Sequence, residues 1–145
     1  MKLHAATFGE LDAATLYELL RLRVDVFVVE QQCAYPELDG RDTEPGAMHL
    51  WLTAYGDRTP VGYLRILTEP DGSTRIGRVA VAPAARGAGV ARQLMEAALA
   101  RVGRRRCVLD AQANLVGFYL SLGFTATGPE YLEDGIPHVP MRRPA

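Results

Sequence analysis

Cysteine is scarce in this chain: Cys33 and Cys107 are the only two among 145 residues. That is too few for a disulfide framework, and they lack the paired spacing of a metal site. Long apolar runs are missing too. Nothing approaches the ~20 residues that a membrane span needs, and residues 1–30 lack the apolar stretch of a secretory signal. Neither sign of charge dominates. Sixteen Lys and Arg against seventeen Asp and Glu leave a formal net charge of -1, which excludes attachment to nucleic acid through a general basic field. Repeats, low-complexity tracts and linkers are absent as well. What is present is 48% hydrophobic residues, enough at this length for one domain, residues 1–145, with its own core. The expectation is a cytoplasmic protein with no membrane or nucleic-acid partner and no metal, monomeric or homodimeric.

Periodicity and turn residues outline the elements. Lys2–Thr7 suits an edge strand. Asp12 is placed to cap a helix whose apolar residues Leu16, Leu19, Leu20, Val24 and Phe27 recur at three-and-four spacing. Residues 34–46 hold Pro36, Asp39-Gly40 and Pro45-Gly46 and predict a turn-rich loop. Met48–Tyr55, Val61–Thr68 and about Thr74–Ala82 read as three consecutive antiparallel strands. Val90–Val102 reads as a second helix and Cys107–Ala111 as a buried strand. Asn114–Leu122 reads as a short helix that Gly123 ends in the left-handed conformation. Phe124–Leu132 and His138–Arg142 predict a closing strand pair around Asp134-Gly135. This order predicts an α/β sandwich with mixed strand directions.

The segment richest in chemistry is Arg86-Gly87-Ala88-Gly89-Val90-Ala91, between the third of those strands and the second helix. A strand that empties through glycines into a helix start leaves backbone N–H groups unpaired at the positive end of the helix dipole. Such a turn is a main-chain cradle for phosphate, and Arg86 adds a fixed positive charge. The Gly-Lys-Ser/Thr ending of a P-loop is absent. Arg92, bulky and charged, stands where a dinucleotide fingerprint needs a third small residue. An ordinary strand-to-helix turn fits the hexapeptide equally well.

Arg86-x-x-Gly89-x-Ala91 after Val79-Ala80-Val81-Ala82-Pro83 resembles the coenzyme A pyrophosphate loop of the GNAT superfamily of N-acetyltransferases, and the element order resembles theirs. Asn114, Phe118-Tyr119 and Leu122-Gly123-Phe124 are similar to the GNAT segment that sets an asparagine near the pantetheine arm and a tyrosine near the thiol. Leu22–Gln31, Tyr35–Gly40 and Glu133–His138 resemble the ElaA-like subgroup, so the matches span nearly the whole chain. The resemblance implies a single-domain α/β fold: a central mixed, mostly antiparallel sheet of about seven strands flanked by about four helices. It implies an acetyl-CoA-dependent N-acyltransferase that moves acetyl directly to a primary amine of a small acceptor. A catalytically silent CoA-binding module and an acyl-homoserine lactone synthase, whose related fold also carries Arg and Phe on an early helix, stand as alternatives.

By the same resemblance Arg86, Gly87, Ala88, Gly89, Val90 and Ala91 hold the pyrophosphate. Val79, Ala80 and Val81 offer backbone to the pantetheine amides, much as a peptide adds to a sheet edge, and Asn114 lies by the arm. A backbone N–H near Val79 is the candidate oxyanion donor. Tyr119 is the candidate acid for the departing thiolate. Glu30, His49, Glu133 and His138 are the candidate bases, with a water relay as the alternative. Cys33 has nothing beside it in sequence to lower its pKa and reads as a small loop residue. Arg104-Arg105-Arg106 lies past the far end of the second helix and reads as its complement. Acidic residues gather in segments expected to border the acceptor: Glu30, Glu37, Asp39, Asp42 and Glu44, then Glu130, Glu133 and Asp134. They predict a negative rim that steers a cationic amine.

Overall fold

Strand pairing in the computed structural model, which describes residues 1–145, orders eight strands into one mixed sheet. Strands β1 (Lys2–Thr7), β2 (Met48–Thr53), β3 (Pro60–Thr68) and β4 (Thr74–Val81) lie side by side, antiparallel, in chain order. Next to β4 comes β5 (Cys107–Gln112), parallel to it, reached through a helical crossover. The last long strand, β8 (Ile136–Arg143), pairs antiparallel with β5. Two short strands, β6 (Thr125–Ala126) and β7 (Tyr131–Glu133), share its outer edge. This is the mixed, mostly antiparallel α/β fold expected. The predicted Phe124–Leu132 strand is split, which makes eight strands rather than about seven. Pro129 has no N–H for the ladder, and Gly128 sits so close to the Pro140 ring that a Cβ there would meet it at 3.2 Å.

Three α-helices, with one wide turn, stand where about four helices were expected: α1 (Ala13–Val24), α2 (Val90–Val102) and α3 (Val116–Leu120). Asp12 caps α1 by accepting the Thr15 N–H at 2.7 Å. Past Val24 the helix widens into a single π-type turn, Asp25–Glu30. Its buried residues are Leu19, Leu22, Arg23 and Val26, a face rotated from the stripe through Leu16, Leu20 and Val24. The rotation follows from Arg23, which has carboxylate partners beneath it and turns inward. Helix α3 is shorter than predicted because Ala113–Leu115 forms a tight 3-10 turn before it. No helix is long and apolar enough to cross a membrane.

The sheet separates two cores. On one face α2 buries Val90, Leu94, Met95, Ala98 and Val102 against Leu50, Leu52, Leu64, Ile76 and Leu109. On the other, Leu19, Leu22 and Val26 of α1 pack on Trp51, Tyr63 and Ala80. Gly62 sets how closely α2 approaches β3, since a Cβ there would meet Val90 Cγ1 at 2.4 Å and Leu94 Cδ1 at 3.0 Å. Gly62→Ala is therefore expected to cost about 1–3 kcal/mol through overpacking, read as a lower urea midpoint at unchanged slope. Its backbone lies opposite Val81, so the same change also displaces the start of α2.

One irregularity shapes the functional region. Arg78 takes φ +54, left-handed for a residue with a Cβ, at a bulge in β4. Strands β4 and β5 pair only at Thr74–Cys107 and Arg75–Val108. Beyond that they part, β5 following β8, and the gap opens a cleft.

Candidate active site

The cleft has a volume of about 1050 Å³ and runs from the start of α2, between the parted strands, to the loop after α1 and the β7–β8 hairpin. At its first end Gly87 and Gly89 hold φ of +83 and +77, a backbone that the glycine pair makes easy. No side chain caps α2, so its first-turn N–H groups have no side-chain acceptor, and Gly87, Val90 and Ala91 line the cleft there. Ala88 and Gly89 complete the turn at the surface. That donor set suits a phosphate. Val79 and Val81 form one wall, and Asn114, Phe118 and Tyr119 the opposite one. Ala80 points the other way, into the core under α1.

Arg86 departs from expectation. Its guanidinium makes a two-point pair with Glu30 at 2.5 and 2.6 Å and also donates to the Val81 carbonyl at 3.2 and 3.1 Å. The positive charge expected for the cradle is thus neutralised across the cleft, and main-chain N–H groups dominate the site. The same pair changes the reading of Glu30. Arg86 holds its carboxyl below the ordinary value, and a carboxylate so stabilised is a weak base.

The other candidates separate by position. Tyr119 stands edge-on to Phe118 and Phe124, with ring centroids 5.1 and 6.1 Å away. Burial pushes its phenol up to about 12. His138 lines the far end of the cleft, stacked on Tyr131 at 5.9 Å. The Ile136 carbonyl can only accept, so Nδ1 carries a hydrogen and donates to it at 2.7 Å; in the neutral ring the lone pair is then on Nε2. Glu133 lies at the same end, exposed on the hairpin. His49 is elsewhere: 1% exposed, it accepts from the Tyr63 hydroxyl at Nδ1 (2.6 Å) and donates from Nε2 to the Asp42 carbonyl (3.0 Å). Burial lowers its pKa, and it does not line the cleft. The structure therefore brings Tyr119, His138, Glu133 and the paired Glu30 to one cleft and leaves His49 out.

The negative rim is largely spent. Arg23 donates to Glu37 and to Asp42, both at 2.7 Å, with its guanidinium 5.4 Å from the Tyr63 ring centroid. Arg65 binds Asp39 at 2.5 Å and Asp42 at 3.1 Å, Arg78 binds Glu37 at 2.9 Å, and Arg41 binds Glu44 at 2.9 Å. Of the eight acidic residues, Glu130, Glu133 and Asp134 alone make no ion pair. Burial works to raise the Asp39 carboxyl, but hydrogen bonds from Arg65 and the Arg41 backbone, with the charges of Arg65 and Arg78, outweigh it and hold the carboxyl low. The Tyr35 hydroxyl closes the cluster on Glu37. Sequence reasoning missed these arginines, although one signal was available: the chain has sixteen cationic residues, of which only Lys2 is a lysine. Arg, with its planar fork, is the cation suited to buried carboxylate pairs.

One smaller expectation holds. Arg105 donates to the Val102 and Arg101 carbonyls at 3.2 and 3.3 Å, completing the end of α2. Cys33, expected to be no more than a small loop residue, lines the cleft, donates its S–H to the Asp134 carbonyl at 3.3 Å and ties the loop after α1 to the β7–β8 hairpin.

A mixed sheet split beside a glycine-turned helix start is the architecture of an α/β acyltransferase fold. The chain belongs to the GNAT family: the family model for the acetyltransferase (GNAT) domain matches residues 18–144. A UPF0039 protein of Mycobacterium tuberculosis is 52% identical over 139 residues, covering 93% of this chain and 88% of that protein. Protein ElaA of Escherichia coli is 41% identical over 141 residues, covering 93% and 91%. Its crystal structure superposes with a TM-score of 0.91 at 38% identity over 98% of each chain. An acyl-CoA N-acyltransferase from Pseudomonas aeruginosa superposes with a TM-score of 0.92 at 41% identity over 99% of each chain.

Proposed function

We propose that the protein transfers acetyl from acetyl-CoA directly to the primary amine of a small acceptor that arrives as an ammonium ion. The observation that carries this reading is a single cleft onto which the uncapped start of α2, the parted edge of β4, Tyr119 and His138 all open. In the transfer, the ammonium first gives up one proton, a C–N bond then forms at the thioester carbon, the C–S bond breaks, and nitrogen loses a second proton as the amide forms. The thiolate takes up one proton and the other passes to water. The N–H groups of Gly87–Ala91 and the dipole of α2 bind the pyrophosphate. Val79 and Val81 pair their main chain with the pantetheine arm beside Asn114, and an N–H near Val79 faces the thioester oxygen; a donor of that kind is typically worth about 2.7–4 kcal/mol. His138 Nε2 takes the amine proton, directly or through water. Tyr119 donates a hydrogen bond to the sulfur as charge develops there.

His138→Ala is expected to lower kcat/KM about a hundredfold, and added imidazole to restore part of the loss; a variant as active as the parent would move the base to Glu133 or to water alone. The reading as a whole is tested with acetyl-CoA, a panel of amines and a free-thiol readout. Amine-dependent thiol release supports it. Calorimetric binding of acetyl-CoA with no release on any amine would favour the silent binding module instead.

A further inference from the structure

Resting on that reading, we propose that the acceptor is a zwitterion, carrying a carboxylate beside the amine it presents, and that Arg75 and Asp110 are the pair that docks it. The acceptor end of the cleft is walled by both signs of charge, Arg75 and Arg78 against Asp39 and Asp110. Most of this charge is committed to the fold. The Arg65 side chain is only 5% exposed, and Arg78 is held by Glu37 and Asp39 with its guanidinium over the Tyr35 ring.

The Arg75–Asp110 pair is different. It closes at 2.7 Å with 34% and 37% of the two side chains exposed. Arg75 belongs to the last residue pair before β4 and β5 part, and Asp110 lies two residues past the partner of Arg75, at the edge of the gap. Side chains alternate along a strand, so Asp110 shares a face with Gln112, whose cross-strand partner is His138. The pair therefore stands next to the proposed base.

A zwitterion fits this pair by exchanging partners with it. Its carboxylate takes the Arg75 donor now on Asp110, and its ammonium takes the Asp110 carboxylate. Every charge remains paired, so little of the desolvation cost of an unmatched ion arises. Arg75 stays in place during the exchange because its Nε also donates to Glu69 at 3.1 Å. Glu69 is in turn held by Arg41 at 3.3 Å. A plain diamine would instead leave Arg75 facing a second cation. The exchange delivers the amine beside His138 Nε2, where it loses its proton before attack.

The test compares matched amines on the intact protein with acetyl-CoA: amino acids, their amides and their decarboxylated counterparts. The carboxylate-bearing member of a set is expected to show kcat/KM higher by about tenfold or more, the worth of one charge-assisted hydrogen bond. Arg75→Gln is expected to bring that ratio close to one, chiefly by raising KM for the amino acids. Equal or better turnover of the carboxylate-free amines by the parent protein overturns the proposal while leaving acyl transfer intact. So does an unchanged ratio in a folded Arg75→Gln variant. Should that variant not fold, the parent ratio decides alone. Thiol release on no amine of any kind overturns the transfer reading, and this proposal with it.

Discussion

Arg23→Ala is expected to lower stability by about 3–5 kcal/mol, the cost of breaking a buried ion pair from one side. Arg23 is 1% exposed and holds Glu37 and Asp42, which are 3% and 8% exposed. Removing the guanidinium leaves two carboxylates with less charge compensation and a void over the Tyr63 ring. For a chain of this size the loss corresponds to a fall in Tm on the order of 10 °C. Its pH dependence is equally specific. In the parent, burial acts to raise the Asp42 carboxyl, but the Arg23 hydrogen bond and the charges of Arg23 and Arg65 outweigh it and set it below its ordinary value. That stabilisation is complete above the unfolded carboxyl pKa of about 3.9 and is lost as pH falls through the lower folded value. Without Arg23 the burial effect faces only Arg65, and Asp42 binds its proton more readily in the fold than before. The deficit of the variant is therefore expected to be larger at pH 7 than at about pH 4.5, a direction that follows from linkage. Urea unfolding at the two pH values measures it. A deficit that is the same at both would mean that lost packing, and not the stranded carboxylates, sets the cost.

Tyr119→Phe is expected to lower kcat about a hundredfold, as loss of a donor aimed at developing charge does, with KM for acetyl-CoA nearly unchanged. Burial has raised the Tyr119 phenol to about 12, whereas an ordinary thiol lies at about 8.5. Full proton transfer from the phenol to a thiolate is therefore steeply uphill. In the proposed mechanism the hydroxyl contributes a hydrogen bond to charge that exists only as the C–S bond breaks, so kcat is expected to carry the loss and ground-state binding is not. Because the phenol stays protonated at all working pH values, the variant is expected to keep the shape of the parent pH–rate profile. The rings of Phe118 and Phe124 contact the aromatic face that Phe retains, so Tm is expected to move little. An unchanged kcat would remove Tyr119 from the chemistry; a fall in Tm large enough to explain the loss would make its role structural.

What was legible in the sequence is what local chemistry dictates. Asp12 one residue ahead of an apolar helical run caps that helix wherever the helix goes. Gly87 and Gly89 before Val90 specify a turn with positive φ that opens onto a helix start, and α2 spans the predicted Val90–Val102. The strands followed from their apolar residues and the turns between them, but β2 and β3 are not half-buried as their alternation suggested: α2 covers one face and α1 the other, so nearly every residue of both is buried. The rotation of α1 was beyond that reach. Arg23 looks like a surface residue until Glu37 and Asp42, 14 and 19 positions away, are placed beneath it.

The same reason separates the fold from the site. By itself the sequence determined the order of elements, the glycine turn that opens onto α2 and the set of side chains able to act as acid or base. Only the tertiary structure decided which of those side chains are available. It spent Arg86 on Glu30, 56 residues away, closed both nitrogens of His49 in the interior and left His138 Nε2 free on the cleft. It also turned an apparent acidic rim into arginine pairs and set Arg75 against Asp110 at the parting of β4 and β5. A charge carries no record of its partner along the chain; long-range pairing selects it when the chain closes those loops and burial removes water as the alternative partner.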